Sequence, residues 1–257
     1  MTMTPGRLDC GSPDLALLSF SQIVGVQPEE VQRRCRAFDL QDYYESASPN
    51  APGWDAVYQE LFSEVERRQQ PAEICWFHAT RTTSDVDFAT AGVLPTVAIA
   101  DQLWHVLRRI DSEPPPDHEW ADFRRSVEAG ASGHWSRLYG IKIKHGGPFG
   151  FLIREELYYL GQTSSVNYLR CPETVEDICI CYEEWFGRPL LPAYLAATRP
   201  CIVKFIDKRP ARVLSTVALY LYRHAHGQAA YEVNTCFDSQ GVAIEGKQVL
   251  GIEWPAG

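Results

Sequence analysis

The sequence predicts an α+β chain with a helical N-terminal region, on three observations. Apolar residues recur at helical spacing through the first seventy positions. After Pro71 the texture changes to short runs rich in β-branched and aromatic residues. Gly and Pro then punctuate the chain between further runs of helical period. The division that follows is a helical region over 1–70 and an α+β body over 71–257.

Element by element, Pro13-Asp14 opens a helix through LALLSFSQIV that Gly25 ends. Pro28-Glu29-Glu30 opens a second, with proline in the first turn and acids at the positive end of the dipole. SASPNAPG (46–53) is a loop, and WDAVYQELFSEVERR (54–68) an amphipathic helix. EICWFHATR (73–81) is a buried strand, and DQLWHVLRRI (101–110) and WADFRRSVEAGASG (120–133) are helices. LYGIKIKHGGPFGFLIREELYYLG (138–161) suggests two short strands around a Gly-Gly-Pro turn. PETVEDICICYEEWFG (172–187) is a helix, CIVKFID (201–207) a strand and VLSTVALYLYRHAHG (213–227) a helix. YEVNTCF and AIEGKQVLGIEW close the chain as two strands around an Asp-Ser-Gln-Gly turn.

Composition bounds the function. The 257 residues are 45% hydrophobic and 22% charged, ordinary values for a folded chain, and long enough to bury roughly 70–75% of the unfolded surface. The net charge of −9 argues against holding nucleic acid by bulk charge. Arg33, Arg34 and Arg36 on the second helix can be read as part of a helix-turn-helix, but no wider basic footprint supports it. A cap, a dimerising arm or a contact for a protein partner is the alternative for these helices. No run is long and apolar enough for a membrane span, and MTMTPGRLDCGSPD lacks the basic and apolar regions of a secretory signal. With 8 cysteines, mostly within apolar runs, a reducing cytoplasm is the expected home and no membrane is expected as partner.

Phosphate-binding, Rossmann, nucleophile-elbow and zincin motifs are absent. Cys171, Cys179 and Cys181, and His224-x-His226, lack the paired spacing of a zinc site, so no metal is expected. Glu173, Glu176 and Asp177 share one helix face, either as dipole complements or as a substrate or metal contact. The Gly-rich HGGPFG (145–150) either makes a turn or lets backbone approach a ligand, and Asn167 and Tyr168 sit where a pocket mouth could be.

The most informative segment is 73–95. His78-Ala79-Thr80-Arg81 ends a buried strand, and a short helix leads to Ala91-Gly92-Val93-Leu94-Pro95. An imidazole at a sheet margin can bind a ligand hydroxyl through a ring nitrogen. This resembles the opening motif of histidine-bearing ADP-ribosyltransferases, the type seen in poly-ADP-ribose polymerases, tRNA 2′-phosphotransferases and toxin transferases. The likeness covers about 25 of 257 residues.

The resemblance implies a body with a split central sheet and an NAD-consuming enzyme, of the kind found as bacterial toxins and phage-defence effectors. NAD is then the substrate, and a macromolecule or nucleotide is the acceptor. It implies catalytic positions at His78, Tyr159 and Glu232, with Glu245 competing for the late-strand glutamate. Thr80, Arg81, Arg154 and Tyr158 become NAD contacts: the arginines for the pyrophosphate, whose oxygens suit a guanidinium fork, and Tyr158 or Tyr159 for stacking on nicotinamide. The segment from His78 to the tyrosines is long for compact members, and no R-S-E or E-x-E pattern is present. Two other classes stay open: a non-catalytic binding module of antitoxin or immunity type, and a metal-dependent nucleic-acid hydrolase using the 173–184 carboxylates.

Overall fold

A computed structural model describes residues 6–46, 53–62, 70–83, 86–131, 146–163, 167–208, 213–230 and 233–255. The chain is α+β. The helices are α1 (Pro13–Val24), α2 (Pro28–Ala37), α3 (Leu40–Ser46), α4 (Gly53–Phe62), α5 (Phe88–Ala91), α6 (Thr96–Ile110), α7 (Asp117–Ser126), α8 (Leu160–Thr163), α9 (Glu173–Phe186), α10 (Leu191–Ala197) and α11 (Val213–Ala225). The strands are β1 (Arg7–Leu8), β2 (Glu73–Thr82), β3 (Phe149–Phe151), β4 (Arg199–Asp207), β5 (Cys236–Asp238) and β6 (Val249–Glu253). They form one sheet in the order β5-β3-β2-β4-β6, with β1 parallel beside β2. This differs from the split sheet expected above: the long strands β2 and β4 are neighbours, so the described strands are continuous. Antiparallel pairing sets Phe77 opposite Phe151 and Val203 opposite Ile252.

The chain makes two compact units. The first comprises Met1–Phe77, Phe151–Tyr159 and Ile206–Phe237, the second His78–Gly150, Leu160–Phe205 and Asp238–Gly257.

In the first unit, Ser12 caps α1 by accepting from the Leu15 N–H, Pro13 follows, and Gly25 closes the helix at φ 72°. That is the start and stop chemistry the sequence announces. Helix α11 is apolar on nearly every side, and its residues from Val213 to Tyr222 are almost all buried, the pattern of a central helix. Helices α1, α2 and α4 pack around it. Phe20 meets Phe62 edge-on at 5.1 Å. On α2, Arg33 and Arg34 both bind Glu30, and these bonds hold its carboxyl down at about 2. Strand β1, two residues long, is fixed by a fork from Arg7 to Glu73 at 2.7 and 2.9 Å.

In the second unit the core is helical and aromatic. Trp104 of α6, Trp120 and Phe123 of α7 and Tyr182 of α9 are buried together, with Trp104 and Trp120 edge-on at 5.8 Å. Helix α6 begins at Thr96, five residues before the start read from Asp101, with Pro95 as its cap. A π turn (Val127–Ala131) continues α7.

Among the described residues no helix is long and apolar enough to cross a membrane. Of the cysteines, Cys10, Cys35, Cys75, Cys171, Cys179 and Cys201 are buried, while Cys236 is exposed.

Candidate functional site

A cavity of about 500 Å³ lies in the second unit, within the size range of small-molecule sites. The end of β2 builds its polar side with His78, Thr80, Arg81 and Thr82. Alternation along a strand puts His78, Thr80 and Thr82 on one face. Helix α6 builds an apolar side with Ile99, Leu103 and Val106, and adds the carboxamide of Gln102. These four follow i, i+3, i+4, i+7 spacing, while Ala100, Trp104 and Leu107 on the same helix enter the core. Asp87, Phe88, the Gly92–Leu94 segment, Tyr194 and Thr198 also line it.

Two glycines make the α5 wall possible. A Cβ on Gly92 would stand 2.0 Å from the Ile244 carbonyl oxygen, and one on Gly246 would stand 2.1 Å from that of Ala89. The close approach lets Val93 and Ile244 exchange both backbone hydrogen bonds at 2.9 Å.

His78 is half-buried, and its Nδ1 lies 2.7 Å from the Phe149 carbonyl oxygen. A carbonyl only accepts, so Nδ1 carries the proton and the neutral ring keeps Nε2 as an acceptor. Burial pulls the His78 pKa below its ordinary 6.5, more than the Phe149 bond lifts it.

Arg81 is committed to the wall. Its Nε donates to the Thr198 hydroxyl at 3.1 Å, Nη1 to the Leu169 carbonyl at 3.1 Å, and Nη2 to the Leu195 and Thr198 carbonyls at 3.0 and 2.7 Å. Four of its five N–H groups are thereby used, and it makes no ion pair among the described residues. Asp87 caps α5: its Oδ1 accepts from the Ala89 N–H at 3.0 Å and its Oδ2 from the Thr90 hydroxyl at 2.6 Å. The Thr90 bond is the main reason its carboxyl sits below the ordinary 3.8.

Of the residues singled out from the sequence, the cavity gathers His78, Thr80 and Arg81. Arg154, Tyr158 and Tyr159 belong to the first unit. There Arg154 stacks over the Tyr158 ring at 5.3 Å and donates to its hydroxyl at 3.0 Å. Tyr159 and Tyr220 both donate to Glu155, at 3.4 and 2.9 Å. Burial and the Glu155 carboxylate push the Tyr159 pKa up. Glu232 lies outside the described residues, as do His145 and the strand expected over 138–145. Glu245 is not a strand residue: it forms a capping box with Gln248 around the 3-10 turn Gly246–Gln248 and pairs with Lys247.

Gly147 and Pro148 offer their carbonyls to the Gly241 and Ser239 N–H groups, each at 3.1 Å, so this stretch lies against the turn before Val242. Asn167 accepts the Arg170 and Cys171 N–H groups and shapes its own turn; it does not line the cavity. Among the described residues no three His, Cys, Asp or Glu side chains come together as metal ligands. Burial pushes the Cys171 thiol up to about 12.

Sequence reasoning missed Asp87, Gln102, Tyr194 and Thr198. A second apolar stripe on α6, beyond what its core face needs, was the one readable signal for any of these walls. Comparison with protein-family models, curated proteins and solved structures finds no match to this chain.

Proposed function

We propose that this chain is an NAD-consuming ADP-ribosyltransferase-like enzyme that holds NAD in the cavity of the second unit. The observation that carries the reading is the state of His78. Its tautomer is set by the Phe149 carbonyl, its charge is suppressed by burial, and it borders the cavity with Nε2 as an acceptor. Such an atom receives a hydrogen bond from a ribose hydroxyl. The hydroxyls of Thr80 and Thr82 add polar partners, and the α6 stripe supplies an apolar face for a ring.

The reaction breaks the bond between ribose and nicotinamide, releases neutral nicotinamide and joins the ribose to an acceptor nucleophile, whose proton goes to solvent. Arg81 serves as a positioning residue that fixes the wall around Thr198. Arg154, Tyr158 and Tyr159, which belong to the first unit and do not line the cavity, and Glu232 keep only the roles that the sequence resemblance implies, and the reading of the cavity does not rest on them.

The test is thermal stability with and without NAD, followed by nicotinamide release with nucleic-acid and protein acceptors. A ligand at 100 times its Kd adds about 2.7 kcal/mol of stability. The expected result is an NAD-dependent rise in melting temperature that His78→Ala removes. Glu232→Gln is expected to keep the rise and lose nicotinamide release. Neither shift nor release with any acceptor overturns the reading.

A further inference from the structure

We propose that the cavity is a receptor for a medium-chain fatty acid, with Arg81 as the cation that meets the carboxylate and helix α6 as the wall along which the alkyl chain lies. The proposal goes beyond the NAD reading and does not depend on it. Where both hold, the acid competes with NAD for the cavity.

Arg81 is a half-buried cation without a counter-ion among the described residues. The carbonyls of Leu169, Leu195 and Thr198 fix its guanidinium, but they are neutral and leave its charge uncancelled. The ionisable groups its charge reaches are the Cys171 and Cys201 thiols and the Tyr194 phenol, and burial keeps all three neutral at pH 7. Charges withdrawn from water are paired in folded chains, and the partner this one lacks is an anion. The second Nη1 hydrogen has no acceptor among the described residues. The hydroxyls of Thr80 and Thr82, which also line the cavity, are not spent on other described residues. Three donors suit a carboxylate, which only accepts. A phosphate monoester brings up to two charges and three acceptor oxygens, and His78, the other basic side chain of the lining, is held neutral.

Asp87 is the opposing charge of the lining. It is exposed, and both its oxygens already accept, from the Ala89 N–H and the Thr90 hydroxyl. Solvent and salt screen an exposed charge far more than a half-buried one, so the field of Arg81 prevails. The apolar side sets the length of the tail. Ile99, Leu103 and Val106 follow one another along α6. The seven-residue step from the first to the last rises about 10 Å, close to the length of an extended eight-carbon chain. Phe88, Val93 and Leu94 add further apolar lining.

The full-length chain is titrated at pH 7 with octanoate, octanamide, octylamine and octyl phosphate by ligand-observed NMR. Octanoate is expected to bind about tenfold tighter than the amide, the low end of a charge-assisted hydrogen bond, and its advantage is expected to shrink as salt is added. The amine is expected to bind more weakly than the amide, and the phosphate no tighter than the acid. Arg81→Gln is expected to bind acid and amide alike, the amide showing that the cavity is intact. Ile99→Trp, which fills the α6 side, is expected to lose both. Equal binding of acid and amide by the native chain, tighter binding of the amine or the phosphate, a preference that survives Arg81→Gln, or octanoate binding that survives Ile99→Trp overturns the proposal. If Arg81→Gln binds neither ligand, the salt response of the native chain decides, and an advantage of octanoate that does not fall with salt overturns it. An NAD-dependent rise in melting temperature that octanoate removes supports both readings. Octanoate binding without any effect of NAD supports this proposal and counts against the NAD reading; an effect of NAD without octanoate binding overturns this proposal alone.

Discussion

His78 donates from Nδ1 to the carbonyl oxygen of Phe149 at 2.7 Å, and this bond decides what its other nitrogen can do. Burial places the folded-state pKa below the ordinary 6.5. Between those two values the unfolded chain holds more protons than the folded one, so stability falls as the pH drops through that window. The stability difference between native chain and His78→Gln is expected to be flat above pH 6.5 and to turn against the native chain below it. Below the folded pKa, Nε2 becomes a donor, and the NAD-dependent rise in melting temperature is expected to shrink. Melting curves across pH 5 to 8, with and without NAD, check both. A difference that does not vary with pH rejects the assignment.

Arg81 yields a prediction that separates a wall residue from a phosphate clamp. An ammonium cannot reproduce a planar fork spread over three carbonyls and a hydroxyl. Arg81→Lys is therefore expected to cost about 2–3 kcal/mol in the absence of any ligand, since hydrogen bonds from charged groups contribute about 1.5–3 kcal/mol each and do not add. Urea unfolding measures it. An Arg81→Lys chain of native stability with weakened NAD binding would assign the residue to the ligand instead.

The two glycines of the α5 wall are expected to be intolerant. Gly92→Ala places a methyl 2.0 Å from the Ile244 carbonyl oxygen, at a φ of 74° that already disfavours a side chain. Gly246→Ala meets the Ala89 carbonyl at 2.1 Å. Both partners are backbone and cannot swing away. A loss of about 3 kcal/mol or more is expected at each. Gly25→Ala is the control: φ is 72° with nothing within 4 Å of the added carbon, so only the left-handed penalty of about 1 kcal/mol remains. Denaturant midpoints of the three variants provide the comparison.

What the sequence made legible follows from where its signals arise. Helix α1 was readable because its proline, its period and Gly25 are local, and β2 because a run of buried β-branched and aromatic residues ends at a histidine. Strand β1 was not, since two residues carry no period; its place depends on Glu73, sixty-six positions away. The start of α6 was missed because Thr96 follows a proline cap that makes no side-chain bond. Within the site, His78 and Arg81 stood out by chemistry on one strand. Asp87 and Gln102 become site residues only through tertiary approach, which no local pattern announces.

Outside the cavity, Asp111 is a buried carboxylate, 7% exposed. Arg188 grips both its oxygens, at 2.6 and 2.9 Å, and the Tyr182 hydroxyl donates to it as well. Burial raises its pKa, but the bonds from Arg188 and Tyr182 outweigh burial and leave it below the ordinary 3.8. A group depressed in the folded state contributes its stability above the unfolded pKa and loses it as the pH falls through the folded one. Arg188→Ala strands the carboxylate. Loss of a buried partner costs about 3–5 kcal/mol, and because Arg188 is itself a third exposed the low end, about 3 kcal/mol, is expected. Tyr182→Phe removes one bond and leaves the ion pair, so about 1 kcal/mol is expected. The acid limb sharpens the test. Below pH 4 the carboxyl takes a proton, the stranded charge disappears, and the gap between native chain and Arg188→Ala should narrow. Unfolding free energies at pH 7 and pH 3 measure it, and a gap that does not change with pH would show that Arg188 acts by packing over Tyr182 rather than by holding Asp111.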